Sequence, residues 1–197
     1  MMSQQNRRES SIDYLKSYKQ NSVDIMQRIA EEEVAHLIEL LADARKNHRQ
    51  IFLCGNGGSA ATASHLANDL GKGASWGREK RFRVLALTDN ISWITALAND
   101  TDYSEIFIEQ LKNYAQPDDL LIAFSGSGNS SNILKAIKWA NDNDLITVGV
   151  TGRPGGELGG MARHPIFVES SHMGHIEEGH FLIQHLVGYY FMETEED

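Results

Sequence analysis

A chain of 197 residues, 41% hydrophobic and 23% charged, has the size and composition of one globular domain with a substantial core, which excludes a disordered and a fibrous chain. Its 18 Lys+Arg against 27 Asp+Glu give a net charge of −9, so the surface as a whole repels a nucleic-acid backbone and any anionic ligand must be held locally. The single Cys54 forms no internal disulfide, no run approaches the ~20 apolar residues that cross a bilayer, and the polar start lacks a signal peptide's apolar stretch, so a cytoplasmic protein with no nucleic-acid or membrane partner is expected.

Residues 1–9 are polar and charged and read as a frayed tail. Over 10–47, Ile12, Leu15, Tyr18, Val23, Met26, Ile29, Val34, Leu37 and Leu41 recur at helical spacing and predict one or two long helices. These helices outrun what one small sheet can cover, so part of their apolar face is expected to pack on another copy of the chain. Over 49–192 short apolar runs alternate with helical patterns: Ile51–Cys54, Val84–Leu87, Leu120–Phe124, Ile146–Val150 and Ile166–Val168. Short, nearly continuous apolar runs followed by Gly, Ser, Asp or Thr are what parallel strands buried on both faces require. The predicted fold is therefore α/β, a three-layer α/β/α sandwich with a five-stranded parallel sheet behind a long N-terminal helical segment. A last helix is predicted from Gly174 or His175 to Met192, with Ile176, Phe181, Leu182, Leu186, Tyr189 and Tyr190 as its buried side and a solvated acidic tail. With three prolines, no repeat and no low-complexity stretch, residues 1–197 read as a single domain.

Ligands of open parallel sheets bind beyond the carboxyl ends of the strands, and two of these ends carry Gly/Ser-rich loops. The first runs Gly55-Asn56-Gly57-Gly58-Ser59, the second Ser125-Gly126-Ser127-Gly128-Asn129-Ser130-Ser131. Each precedes a helical pattern, so free N–H groups, the positive end of a helix dipole and hydroxyls converge where a phosphate can sit without a basic patch. Gly55, Gly57 and Ala60 also fit the permissive G-x-G-x-x-G/A dinucleotide pattern. The acid expected about 20 residues on is misplaced, however: Asp69 comes too early and Asp89 too late. Four serines in seven residues of the second loop favour a phosphorylated small molecule instead.

His65 and Asp69 are four apart on the helix that leaves the first loop and share a face, a spacing that serves metal binding or acid–base work as well as an ordinary surface pair. His172, His175, Glu177, Glu178, His180 and His185 crowd 14 residues near the end. Glu178 and His185, seven apart, fall on nearly the same face as the apolar Phe181, Leu182 and Leu186, where polar groups need partners. Cys54, with neither a resolving cysteine nor a basic neighbour, reads as a core residue.

With C-G-N-G-G-S-A-A, H-L-A-N-D, L-T-D-N, L-A-N-D, F-S-G-S-G-N-S-S-N, V-T-G-R-P-G-G-E-L and I-E-E-G-H-F-L-I-Q-H in this order, the chain resembles the sugar isomerase (SIS) domain family over nearly its whole length, and within it the phosphoheptose isomerases. The resemblance implies that Asn56, Gly57, Gly58, Ser59, Ser125, Gly126, Ser127 and Ser130 bind the sugar phosphate, and that Asn99 and Asp100 contact the sugar chain. It further implies a divalent metal, usually zinc, on His65, Asp69, Glu177 and His185, with Asp69 as general base and His185 as partner acid. The resemblance also places Glu177 among the residues that contact the substrate. The implied reaction is an aldose–ketose isomerisation through an enediol, without a nucleotide or redox cofactor, in a homotetramer whose sites form between subunits.

Two positions depart from the family: Asp69 stands where it has Glu, and Glu177 where it has Gln. Losing a methylene withdraws a carboxylate by about one C–C bond, ~1.5 Å, and a misplacement of ~1 Å can cost about 100-fold in rate. The second carboxylate at Glu177 makes the set His₂ plus two carboxylates, suited to zinc, manganese or iron(II), and is expected to compensate. The competing expectations are a non-catalytic SIS module that binds a sugar phosphate or protein partner, and an isomerase of another sugar phosphate such as arabinose 5-phosphate. An SIS transcription factor would need a helix-turn-helix domain for which no residues remain.

Overall fold

The structure, a computed structural model, describes residues 4–194. Helix α1 spans Gln4–Met26 and α2 spans Glu31–Lys46. Residues 4–9, expected as a frayed tail, are instead the first turns of α1. Their Gln, Asn, Arg and Glu are tolerated in a helix and neither Gly nor Pro interrupts them. Residues 1–3 of that tail and 195–197 of the closing one lie outside the described residues. Helix α2 buries Val34, Leu37, Leu41 and Ala44 at helical spacing, and Glu31–Glu33 at its start and Arg45 and Lys46 at its end match its dipole. Helix α1 lies along the last helix, and Ile12, Leu15 and Val23 stay 42–56% exposed.

The strands are β1 (Gln50–Gly55), β2 (Arg83–Ala86), β3 (Leu120–Ser125), β4 (Ile146–Gly152) and β5 (His164–Val168), all parallel in the order β2-β1-β3-β4-β5. They match the predicted runs to within two residues at each end. Pleating divides each central strand between two cores: Ile51, Leu53, Leu120, Ile122 and Phe124 face one side, and Phe52, Cys54, Leu121 and Ala123 the other. The first core is closed by α2, α3 (Gly58–Asn68) and α8 (Met173–Glu193). The second is closed by α4 (Ile91–Asp100), α5 (Ile108–Tyr114), α6 (Ser131–Asp142) and α7 (Leu158–Met161). This is the expected three-layer sandwich. Because the chain steps from β1 outward to β2 and returns to place β3 on β1's other side, the order reverses between β1 and β3, where ligands of such sheets bind.

Helix α8 corrects one expectation. Its buried stripe is Ile176, His180, Ile183, Gln184, Val187 and Phe191, whereas Phe181, Leu186, Tyr189 and Tyr190 are 40–49% exposed and Leu182 is half-buried. Both stripes carry enough apolar surface, and shape decides between them. A Cβ at Gly179 would lie 2.7 Å from Val168 and one at Gly188 3.0 Å from Asp69, so the glycine-bearing side is the one that can approach this closely. Among the described residues no helix is long and apolar enough to cross a membrane.

Candidate functional site

The loops after β1 and β3 meet over the switch point. Gly57 takes φ +54° and Gly128 φ +65°, conformations that favour glycine, and a Cβ at Gly128 would lie 2.0 Å from the Gly155 carbonyl oxygen. The loops are clasped by a reciprocal amide pair: Asn56 Nδ2 donates to Asn132 Oδ1 at 2.9 Å, and Asn132 Nδ2 to Asn56 Oδ1 at 2.8 Å. Tyr103 adds its hydroxyl to Asn56 Oδ1 at 3.1 Å. Between the loops lies a cavity of about 300 Å³ lined by Asn56, Gly57, Gly58, Ser59, Ser125, Gly126, Ser127 and Ser130, with Phe124, Met173 and Glu177 completing it.

Helices α3 and α6 begin at this cavity, and neither N-cap residue, Gly57 or Ser130, caps its helix through a side chain. Ala60 and Ile133 N–H are taken up by the Asn56 carbonyl and the Asn132 side chain, which leaves those of Gly58, Ser59, Ser131 and Asn132 for a ligand, and the two positive helix ends aim at one space. The Ser125 and Ser127 hydroxyls each accept a turn N–H, from Gly128 and Asn129 at 3.2 Å, which leaves their protons free to donate. Among the described residues no Lys or Arg lines the cavity; its lining offers backbone, hydroxyls and the Glu177 carboxylate.

A second group stands behind Gly58. Helix α3 widens at its end into a π-helical turn, Asp69–Gly73, which turns the buried Asp69 carboxylate toward α8. His65 Nε2 lies 3.5 Å from Asp69 Oδ2, and one ligand atom each from His65, Asp69 and His185 lie within 4.8 Å of one another. Two imidazoles and a carboxylate this close fit a divalent transition metal. The Phe181 ring packs edge-on to both imidazoles, at 5.1 Å from His65 and 4.5 Å from His185, an apolar wall beside the polar trio.

Glu177 lies outside this trio. It is exposed, its carboxylate rests against Gly58, where a Cβ would meet Oε1 at 2.9 Å, and it lines both the loop cavity and a groove of about 590 Å³ between α1 and α8 that also reaches His185. Asn99 and Asp100 line neither. They sit exposed at the end of α4, a helix that only half-buries Ile94, Leu97 and Ala98 against the second core, with Asn99 Nδ2 on Asp100 Oδ1 at 2.8 Å. Cys54 is fully buried, and burial pushes its thiol pKa well above the ordinary value, so it is a packing residue as expected.

Several neighbours of the site were not singled out from the sequence. Ser22 Oγ donates to Glu178 Oε2 at 2.8 Å, and the Tyr18 ring lies 4.3 Å from that of His175, joining α1 to α8 at the groove. Burial alone would raise the Glu178 pKa, but hydrogen bonds from Ser22, His175 and Tyr18 outweigh it and hold the group below its ordinary value. Asn132 belongs to a motif read as a ligand loop, and its position at a helix start was the available signal. Gln184, which donates to Asp69 Oδ2, and Gly188 beneath the same carboxylate carried no local signal, because only the rotation of α8 brings them there.

Comparison with known proteins bears on this arrangement. The family model described as SIS domain matches residues 17–152. A phosphoheptose isomerase of Aneurinibacillus thermoaerophilus is 38% identical over 180 residues, covering 89% of this chain and 90% of its own. Among solved structures, a phosphoheptose isomerase from Francisella tularensis superposes with TM-score 0.87 at 28% identity, covering 93% of this chain and 99% of that one. One from Neisseria gonorrhoeae gives TM-score 0.83 at 28% identity, with 91% and 97% covered.

Proposed function

The chain belongs to the SIS domain family, and we propose on that premise that it is an aldose–ketose isomerase that interconverts sedoheptulose 7-phosphate and D-glycero-D-manno-heptose 7-phosphate. The observation that carries this reading is the junction at Gly58 and Glu177, where a cavity of about 300 Å³, roomy enough for a phosphate and lined by no cationic side chain, opens beside the groove that reaches His185. A phosphate fixed in the first by the loop N–H groups and by Ser59, Ser125, Ser127 and Ser130 sends its carbon chain past Glu177 toward His65, Asp69 and His185. The whole chain is read as one SIS domain.

In this reading Asp69 is the general base. From the aldose it takes the proton on C2, His185 protonates O1, and the cis-enediol forms; His185 then takes the proton from O2 while Asp69 returns its proton to C1, leaving the ketose. The electrons move within the substrate, so no redox cofactor takes part. His65, Asp69 and His185 would hold a divalent metal, zinc in our proposal, and Glu177 is free to turn toward them as a fourth ligand. Such an ion supplies Lewis-acid stabilisation of negative charge on the enediol oxygens. Asn99 and Asp100, at the surface of the chain, are assigned to the sugar chain across a subunit boundary. The exposed Ile12, Leu15 and Val23 of α1 and Ile91 of α4 support a homotetramer with shared sites, which we place in the cytoplasm.

The test is a coupled isomerase assay on sedoheptulose 7-phosphate beside ribulose 5-phosphate and fructose 6-phosphate, with and without chelator and added zinc. Chelator-sensitive turnover of the heptulose phosphate is expected. Turnover of another sugar phosphate alone would move the substrate, and no turnover of any with metal bound would leave a binding module.

A further inference from the structure

Asp69 has the shortest carboxylate side chain, so its reach is set by the backbone and by whatever holds its two oxygens. Its side chain is nearly enclosed, and a buried carboxylate needs donors. Asn68 Nδ2 approaches Oδ1 at 3.3 Å, a long contact, whereas Gln184 Nε2 donates to Oδ2 at 2.5 Å from across the helix interface. Gln184 is fully buried, and its other amide atom, Oε1, has no partner among the described residues. A buried amide with an unsatisfied acceptor is a poor space-filler; an aliphatic side chain would pack there without that penalty. One turn further on, Gly188 leaves the room that lets Asp69 come this close, with an added Cβ lying 3.2 Å from Oδ2. Helix α8 thus offers Asp69 a donor at 184 and a gap at 188, four residues apart on one stripe.

We propose that Gln184 is a positioning residue for the metal site: its amide pins the Asp69 carboxylate so that a lone pair faces His65 and His185. This rests on the reading of that trio as metal ligands. Carboxylates that bind a metal are held by a hydrogen bond from outside the ligand set, and removal of such a partner typically costs about 10–100-fold in metal affinity. Gln184 also answers the shortening of the carboxylate at position 69. What the side chain lacks in length is made up by a donor and a glycine on the facing helix.

The experiment is metal titration of the full chain after chelator treatment, with zinc measured by competition against a chromophoric chelator and cobalt(II) by its ligand-field absorption. Gln184→Met keeps the length of the side chain and removes the donor. It is expected to weaken zinc binding about 10–100-fold and to alter the cobalt band, with circular dichroism unchanged and the KM for the sugar phosphate moving less than kcat. Gln184→Asn keeps an amide that falls one methylene short and is expected to weaken binding in the same direction; it decides the matter if the Met variant does not fold. Binding by both variants as tight as wild type, while Asp69→Asn binds weakly, would overturn the role of Gln184 and leave the trio standing. Equal binding by wild type and Asp69→Asn would overturn the metal reading and this inference with it.

Discussion

The loop cavity and the His–Asp trio meet at Gly58 and Glu177 and are built in opposite ways. The cavity is made of two local segments, each a strand end, a glycine turn and a helix start, and its donors are many and individually weak. The trio is made by two helices, 115 residues apart in the chain at the Gln184–Asp69 hydrogen bond, and its carboxylate has one short donor, Gln184, beside the longer contact from Asn68. Redundant donors tolerate loss, whereas a unique carboxylate at a fixed distance does not. Substitutions in the two halves should therefore differ in kind: changes in the cavity should weaken substrate binding, and changes at the trio should slow the chemical step.

The largest effect is expected at Asp69. Asp69→Asn removes the proposed base and keeps the shape, and kcat should fall about 10²–10⁴-fold, the usual contribution of a positioned proton acceptor. Full activity in this variant, measured on the heptulose phosphate at saturating substrate, would erase the contrast between the halves and pass the role of base to Glu177.

The second effect concerns stability on the helix-built side. His180 is fully buried on α8, with its ring 5.9 Å from that of Phe124; the Thr151 backbone approaches it without hydrogen-bonding geometry, and neither ring nitrogen has a partner among the described residues. Burial lowers its pKa from 6.5 to about 4. The unfolded chain then takes up a proton near pH 6.5 that the folded chain refuses until about pH 4. Stability is complete above pH 6.5 and lost as the pH falls toward 4, by an amount on the order of 3 kcal/mol from this group. Urea unfolding at pH 7 and pH 5 should show the loss, and His180→Leu should flatten it. An undiminished slope in that variant would place the acid sensitivity elsewhere.

The same contrast governs what could be read beforehand. The strands were legible because parallel strands buried on both faces are continuous apolar runs, and the two loops because glycine and serine at a strand end have few other uses. The pairing of His65 with Asp69 followed from helical spacing alone. The buried stripe of α8 was not legible: two stripes of similar apolarity compete, and Gly179 and Gly188, which carry no hydrophobic signal, decide between them. The sequence likewise carried no sign of Gln184 under Asp69, or of Glu177 against Gly58 and outside the trio, since both depend on how α8 is rotated against α3.

Gly188 gives a direct way to probe that rotation. A Cβ there would lie 3.0 Å from the Asp69 Cβ and 3.2 Å from Oδ2, tighter than ordinary contact, so Gly188→Val must displace the carboxylate or α8. A displacement near 1 Å at a reacting group costs up to about 100-fold. A fall in kcat of roughly 10–100-fold is expected, accompanied by a lower Tm. A fall in Tm with kcat unchanged would show that Asp69 keeps its place without α8.

The smallest effect is expected in the cavity, at Ser127. Its exposed hydroxyl is one of four around the space, beside two helix starts with N–H groups of their own. Ser127→Ala removes one donor whose loss water can partly make good, a change of about 1 kcal/mol, so KM should rise several-fold while kcat stays within about a factor of two. Ser125 differs: it is buried, and its oxygen also accepts the Gly128 N–H that shapes the turn, so Ser125→Ala should raise KM further and loosen the loop. A hundredfold loss of kcat in Ser127→Ala would mean that this hydroxyl acts on the reacting carbons and not on the phosphate. The carbon chain would then run the other way through the junction, with the phosphate nearer His185. The ratio of the kcat effect to the KM effect at this one serine therefore reports which end of the substrate each half of the site holds.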